Sequence, residues 1–129
     1  MIILDTHIWI WWVDNNQRLT QKYRDWIAQY QSQGLGISIL SCWEVAKLVE
    51  NNKLSFSISV DDWLTTGLAY PGVQLLELTI PIIVESTKLT GFHKDPFDQV
   101  IVATARIYGC QLLTADAKIL AYPGVQTLK

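Results

Sequence analysis

The chain alternates short apolar runs with segments of helical periodicity, and that alternation restricts the folds open to it. Met1–Asp5, Ile37–Leu40, Val73–Leu78 and Gln111–Thr114 are brief runs with apolar centres, the pattern of strands covered on both faces. Val125–Leu128 reads as a final strand. Between them lie helical segments. Thr6 caps a short one reaching Val13, and Tyr23, Trp26, Ile27 and Tyr30 recur at helical spacing within Thr20–Gln33. Ser41 opens a helix to Asn51, Asp61 and Asp62 cap one to Tyr70, and Pro81 opens one to Thr90. Asp95-Pro96 opens another to Tyr108, which Gly109 closes. Ala117–Leu120 supplies a short turn of helix. Parallel strands need crossovers of this kind. The expectation is an α/β/α sandwich around a central, mainly parallel sheet of four to five strands.

Size and composition fit one unit. The 129 residues predict a single domain over 1–129. Half are hydrophobic and 17% charged, enough to bury a core and exclude disorder. The longest apolar run, Ile8–Val13, is far below the roughly 18 residues of a membrane span. The N-terminus has no basic region of a secretory signal, and Cys42 and Cys110 are too few for a disulfide scaffold. These features place the chain in the cytoplasm, with no membrane partner. The hexapeptide Ala-Tyr-Pro-Gly-Val-Gln occurs at 69–74 and 121–126, and is expected to make the same helix-to-strand turn twice.

In parallel sheets, sites form at the C-terminal strand ends, beside helix N-termini. Asp5 ends the first strand, and Asp116 follows the fourth. Glu44 and Asp98 fall in the first turns of the helices opened by Ser41 and Asp95-Pro96. Each has a dull alternative. Ser41 and Glu44 fit a capping box, Asp95 and Asp98 an N-cap with an acid at N3, and Asp116 a cap of the helix after it. Asp5 is the hardest to dismiss as a cap. The signal is the coincidence of four acids on one edge. Two carboxylates about 4 Å apart repel by roughly 4 kcal/mol at an effective dielectric near 20. Such a cluster either keeps protons or binds a cation, and hard oxygen ligands favour Mg²⁺ or Mn²⁺. The chemistry this implies is phosphodiester hydrolysis. Net charge is −2, but setting these four acids aside leaves ten basic residues against eight acidic ones. An acidic hole in a mildly basic surface suits a metal site that faces a polyanion.

Four segments, in order, carry a resemblance: Leu4-Asp5-Thr6-His7, Ser41-Cys42-Trp43-Glu44-Val45-Ala46, Asp95 through Ala105, and Leu113-Thr114-Ala115-Asp116. With them the chain resembles PIN-domain ribonucleases, and within these the VapC-type toxins of toxin–antitoxin pairs. The resemblance implies a PIN-like fold, Mg²⁺- or Mn²⁺-dependent RNA cleavage, a cognate antitoxin and a homodimer. It makes Asp5, Glu44, Asp98 and Asp116 the metal and catalytic set, supported by Thr114, Thr6 and Asp95. Asp95 is read first as an N-cap. Relatives often carry Arg after Asp98, where this chain has Gln99.

Other residues receive plainer readings. His7 could touch substrate but is read first as a hydrogen-bonded structural residue at the start of a buried helix, and His93 as facing solvent. Lys47, Lys53, Lys94 and Arg106 could touch phosphates but are read as ordinary solvated charges. Of the six tryptophans, Trp9, Trp12 and Trp43 are assigned to the core and some of the rest to a partner surface. A dinucleotide site lacks its third glycine, and neither a P-loop nor a Gly-x-Ser-x-Gly elbow is present. A receiver or phosphatase would want a second Asp where His7 stands. The alternative of a different class is a PIN-fold domain that binds protein or RNA without catalysis.

Overall fold

A computed structural model describes residues 1–129. Four strands form one sheet: β1 (Ile2–Leu4), β2 (Leu35–Ser38), β3 (Val73–Leu76) and β4 (Leu112–Leu113). Their order is β3-β2-β1-β4 and every pairing is parallel. The helices are α1 (Thr6–Val13), α2 (Gln21–Tyr30), α3 (Ile39–Glu50), α4 (Val60–Leu68), α5 (Ile80–Ser86), α6 (Pro96–Tyr108) and α7 (Ala117–Ala121). No helix is long and apolar enough to cross a membrane. The expected fifth strand shrinks to one isolated parallel bridge between Leu112 and Thr127.

Strand alternation divides the core into two layers. Ile2, Leu4, Leu35, Ile37 and Leu113 point to one side, where Ile8 and Trp9 of α1, Ile27 of α2, Val45 of α3 and Trp63 of α4 meet them. Ile3 and Leu112 point to the other, against Ile101, Val102 and Ala105 of α6 and Ile119 of α7. Both faces of the sheet are therefore covered, as the nearly continuous apolar strands require. Gly36 lets the second layer close, because a Cβ there would stand 2.8 Å from Leu76 Cδ1 and 3.2 Å from Ile3 Cγ1.

Several boundaries differ from expectation for local reasons. Ser38, not Ser41, caps α3, accepting the Leu40 N–H at 3.1 Å. The helix starts earlier, so Glu44 lies in its second turn and makes no capping box. Ser59 caps α4 in place of Asp61 and Asp62, which occupy the first turn. Thr79 caps α5, which ends at Ser86. The helix from Pro96 to Tyr108 has its expected bounds, with Asp95 as cap and Gly109 left-handed at φ 63°. The two hexapeptide copies do not share a backbone: Gly72 is left-handed at φ 87°, and Gly124 is not.

The tryptophans also redistribute. Trp9 and Trp63 are buried, packed edge to face at 5.0 Å, with Phe56 stacked on Trp63 at 4.6 Å. Trp12 is half-buried against the first core layer. Trp43 is 59% exposed and belongs to neither layer, contrary to its assignment to the core.

Two glycines test the backbone argument. At Gly72 a Cβ would stand 2.2 Å from the Gln31 carbonyl oxygen, whereas at Gly109 it would meet open space. Gly109→Ala should cost only the left-handed penalty of about 1–2 kcal/mol. Gly72→Ala should cost clearly more, measured as the free energy of urea unfolding.

Candidate active site at the C-terminal edge of the sheet

The strand ends bring the acids to one edge. Asp5 follows β1 and caps α1, its Oδ1 accepting the Thr6 N–H at 2.9 Å. Its Oδ2 accepts the Thr114 hydroxyl at 2.7 Å, which ties the end of β1 to the end of β4. Thr114 Oγ1 in turn accepts the Asp116 N–H at 3.0 Å, and the Thr114 carbonyl accepts the Tyr23 hydroxyl at 3.0 Å. Asp116 caps α7 by accepting the Lys118 N–H at 2.7 Å. Asp95 caps α6, accepting from Phe97 N at 2.9 Å and Asp98 N at 3.4 Å. Asp5, Asp95 and Asp116 are thus all N-caps, so the capping readings hold for Asp116 and Asp95 and extend to Asp5. Capping occupies one oxygen of each carboxylate and leaves the side chain at the site.

Asp98 and Glu44 have no such role. Asp98 is 9% exposed, and burial pushes its carboxyl up to about 8, reinforced by Asp5, Asp95, Glu44 and Asp116. Asp5, 6% exposed, is also raised, chiefly by burial, with Thr114 and Thr6 pulling the other way and Asp116 adding to the rise. Burial raises Glu44 too; Thr6 opposes that shift, and Asp5 and Asp95 add to it. The Thr6 hydroxyl has one proton, and its geometry gives that proton to Ser41 Oγ at 2.8 Å. Glu44 Oε1 is left buried with no hydrogen-bond partner.

The five carboxylates therefore feel one another across a common space. As they stand, no three His, Cys, Asp or Glu side chains converge closely enough to hold an ion together. The donor set still suits a hard cation: oxygen ligands only, one orphaned buried oxygen and one carboxyl held protonated chiefly by burial and then by its acidic neighbours.

Two histidines sit differently from expectation. His7 is exposed, its ring 6.0 Å from that of Trp11, and its charge would stabilise the Asp5 and Glu44 carboxylates. His93 does not face solvent freely. Its Nε2 is 3.1 Å from Asp98 Oδ2, although the atom makes no hydrogen bond, so the contact is close but poorly aimed. Two contacts fold the loop back: Asp95 N–H donates to His93 Nδ1 at 3.4 Å, and Gln99 Nε2 donates to the His93 carbonyl at 3.1 Å. Gln99 thus fastens the site loop. Lys47 pairs with Glu50, and Arg106 with Glu85 at 2.8 Å, so neither is a free phosphate contact.

The larger cavities lie elsewhere. One of about 590 Å³, lined by Glu85, Arg106, Gly109 and Cys110 among others, holds no cluster of acids. Cys42 is buried, with its thiol pushed up to about 11, which makes it a poor nucleophile.

A three-layer fold with acids gathered at the strand ends defines a class of acid-site α/β proteins, and comparison narrows it. Residues 2–125 match the PIN domain family, and the chain belongs to that family. It is 28% identical over 129 residues to ribonuclease VapC22 of Mycobacterium tuberculosis, spanning 94% of this chain and 91% of that protein. The fold superposes on VapBC2 of Rickettsia felis, solved with a promoter DNA fragment, with TM-score 0.73 at 15% identity, covering 99% and 98% of the two chains. It also superposes on FitAcB of Neisseria gonorrhoeae with TM-score 0.71 at 18% identity, covering 100% and 97%.

The electrostatics predict an inverted pH dependence of stability. Asp98 keeps its proton to about pH 8 when folded and loses it near pH 4 when unfolded. Its contribution is full below the unfolded value and is lost as pH rises through the folded one. Metal-free protein should melt at progressively lower temperature between these limits. Asp98→Asn should remove the Asp98 share of that slope, leaving the part due to Asp5 and Glu44, and melt several degrees higher at the alkaline end. A lower melting temperature for Asp98→Asn at every pH would mean that the carboxylate stabilises the start of α6. Thr114→Val should cost about 1–3 kcal/mol, because it leaves a buried Asp5 oxygen unpaired.

Proposed function

We propose that the chain is a metal-dependent endoribonuclease that hydrolyses RNA phosphodiester bonds as the toxin of a toxin–antitoxin pair. The observation that carries this reading is the state of Asp98 and Glu44. One is held protonated to about pH 8, and the other keeps a buried oxygen unpartnered. A fold that needed these acids only for capping would not accept that cost. The same cost argues against a binding domain without catalysis.

Asp5, Glu44, Asp98 and Asp116 would hold Mg²⁺ or Mn²⁺. The bound ion would supply Lewis acidity and lower the pKa of a water. Thr114 and the Thr6 N–H fix Asp5, so its carboxylate orientation is set before any ion arrives. The N-terminal ends of α1 and α6 favour negative charge at the same edge, which offsets the acids and suits a phosphate. Asp95 holds the start of α6 and so the direction of Asp98.

The VapC22 relative is named a ribonuclease, and a structure from Klebsiella pneumoniae on which the fold superposes, with TM-score 0.68 at 19% identity, is a toxin–antitoxin complex. These names support RNA as substrate and a cognate antitoxin as partner. A homodimer fits one further feature. Ile80, Ile83 and Val84 of α5, with Leu78 just before it, are exposed apolar residues, as are Ile107 and Tyr108 at the end of α6, which packs against α5.

The test is cleavage of structured cellular RNA by antitoxin-free protein, with Mg²⁺ or Mn²⁺, with chelator, and with Asp5→Asn. Discrete fragments should require the ion and vanish with the variant, with rates down at least a hundredfold. With limiting metal, activity should rise towards pH 8 as Asp98 ionises. Metal binding without cleavage of any RNA would refute the ribonuclease reading. Light scattering should give a dimer mass, and Ile83→Glu a monomer.

A further inference from the structure

Trp43 is the one tryptophan of six on the exposed surface, at 59% exposure. Its ring meets Phe97 edge to face, with centroids 5.3 Å apart and planes at 76°. Trp43 immediately precedes Glu44 on α3, and Phe97 immediately precedes Asp98 on α6. The pair therefore bridges the two helices that carry the two uncapped acids. Neither ring belongs to either core layer, so core packing does not explain the contact. Phe97 is half-buried and braces the indole, while most of the Trp43 surface stays in water.

The surrounding charge narrows what this surface can hold. RNA binding by electrostatics alone needs cations that neutralise phosphates. Two of the four cations considered for that role, Lys47 and Arg106, are engaged with Glu50 and Glu85. The carboxylates themselves repel a polyanion. The helix N-termini at this edge can favour a phosphate but read no base, and stacking on an aromatic face supplies a contact that does not depend on charge. Every base has such a face, and each stacked base adds about five- to 150-fold in affinity. Bases inside a duplex are already stacked, so the indole can reach only an unpaired one.

We propose that Trp43, braced by Phe97, is a stacking platform for an unpaired RNA base next to the scissile phosphate. This rests on the ribonuclease reading above and adds a binding determinant to it. The platform makes binding depend on bases as well as charge, and it selects single-stranded segments over helices.

The experiment separates base from charge. On an Asp98→Asn background, which prevents cleavage, fluorescence anisotropy is read with a labelled, short single-stranded RNA pool of random sequence. Inorganic polyphosphate, which has charge and no bases, is the competitor. Trp43→Ala should weaken RNA binding about tenfold, within the stacking range. It should leave polyphosphate binding unchanged, and Trp43→Phe should restore most of the loss. In the otherwise wild-type enzyme, Trp43→Ala should raise KM more than it lowers kcat. Equal losses for RNA and polyphosphate, or none for either, would overturn the platform. So would unchanged RNA binding together with loss of inhibition by the co-expressed antitoxin, which would give the aromatic pair to a protein partner. Cleavage that persists in Trp43→Ala with unchanged KM would remove the platform and leave the nuclease standing. RNA that the wild type neither binds nor cleaves would remove the ribonuclease reading itself.

Discussion

The site depends on one buried carboxylate. Asp5 closes the central strand β1, starts α1 and takes a hydroxyl from the end of β4, all with two oxygens. A buried charge needs such partners, since desolvation otherwise costs several kcal/mol. Once Asp5 is fixed there, its neighbours follow. β4 lies beside β1, so Asp116 must arrive at the same edge. β2 lies on the other side, so α3 starts there and carries Glu44 in. α6 packs across the second layer and points its first turn, with Asp98, at the same space.

Capping and chemistry are not competing explanations at this edge. A cap contributes about 1 kcal/mol through one oxygen. Asp95 and Asp116 gain that and keep their carboxylates within reach of solvent, whereas Asp5 caps while buried. The acids that do not cap, Glu44 and Asp98, bear the burden of the crowding. Glu44 stands in a second turn, which offers no unpaired N–H group, and at the start of α6 Asp95 already accepts the Phe97 and Asp98 N–H groups, which leaves Asp98 none.

Much of this was legible in the residues. The apolar runs located the four strands and their parallel sense, with β2 placed two residues late at Ile37–Leu40, and Asp95-Pro96 with Gly109 bounded α6 correctly because both ends carry strong local signals. The fifth strand was not legible as a mere bridge, since pairing depends on what the edge strand offers, and β4 is only two residues long. Trp43 was misplaced because hydrophobicity names a residue and not a direction. The buried face of α3 runs through Ser41, Cys42 and Val45, and Trp43 stands almost opposite Val45 on the helix. Stricter use of the helical period would have found it. His93 was beyond reach, because a side chain from Gln99 folds its loop back, and no local pattern announces such a strap.

The Thr114–Asp5 hydrogen bond joins residues 109 positions apart. Bringing such distant residues together carries an entropic cost that only the assembled sheet repays. On a ribosome, Asp5 emerges early and Thr114 late. A growing polypeptide that still lacks residues 112–116 has neither the hydroxyl that orients Asp5 nor the fourth acid. The acidic pocket is therefore assembled only late in synthesis, after most of the polypeptide has been made.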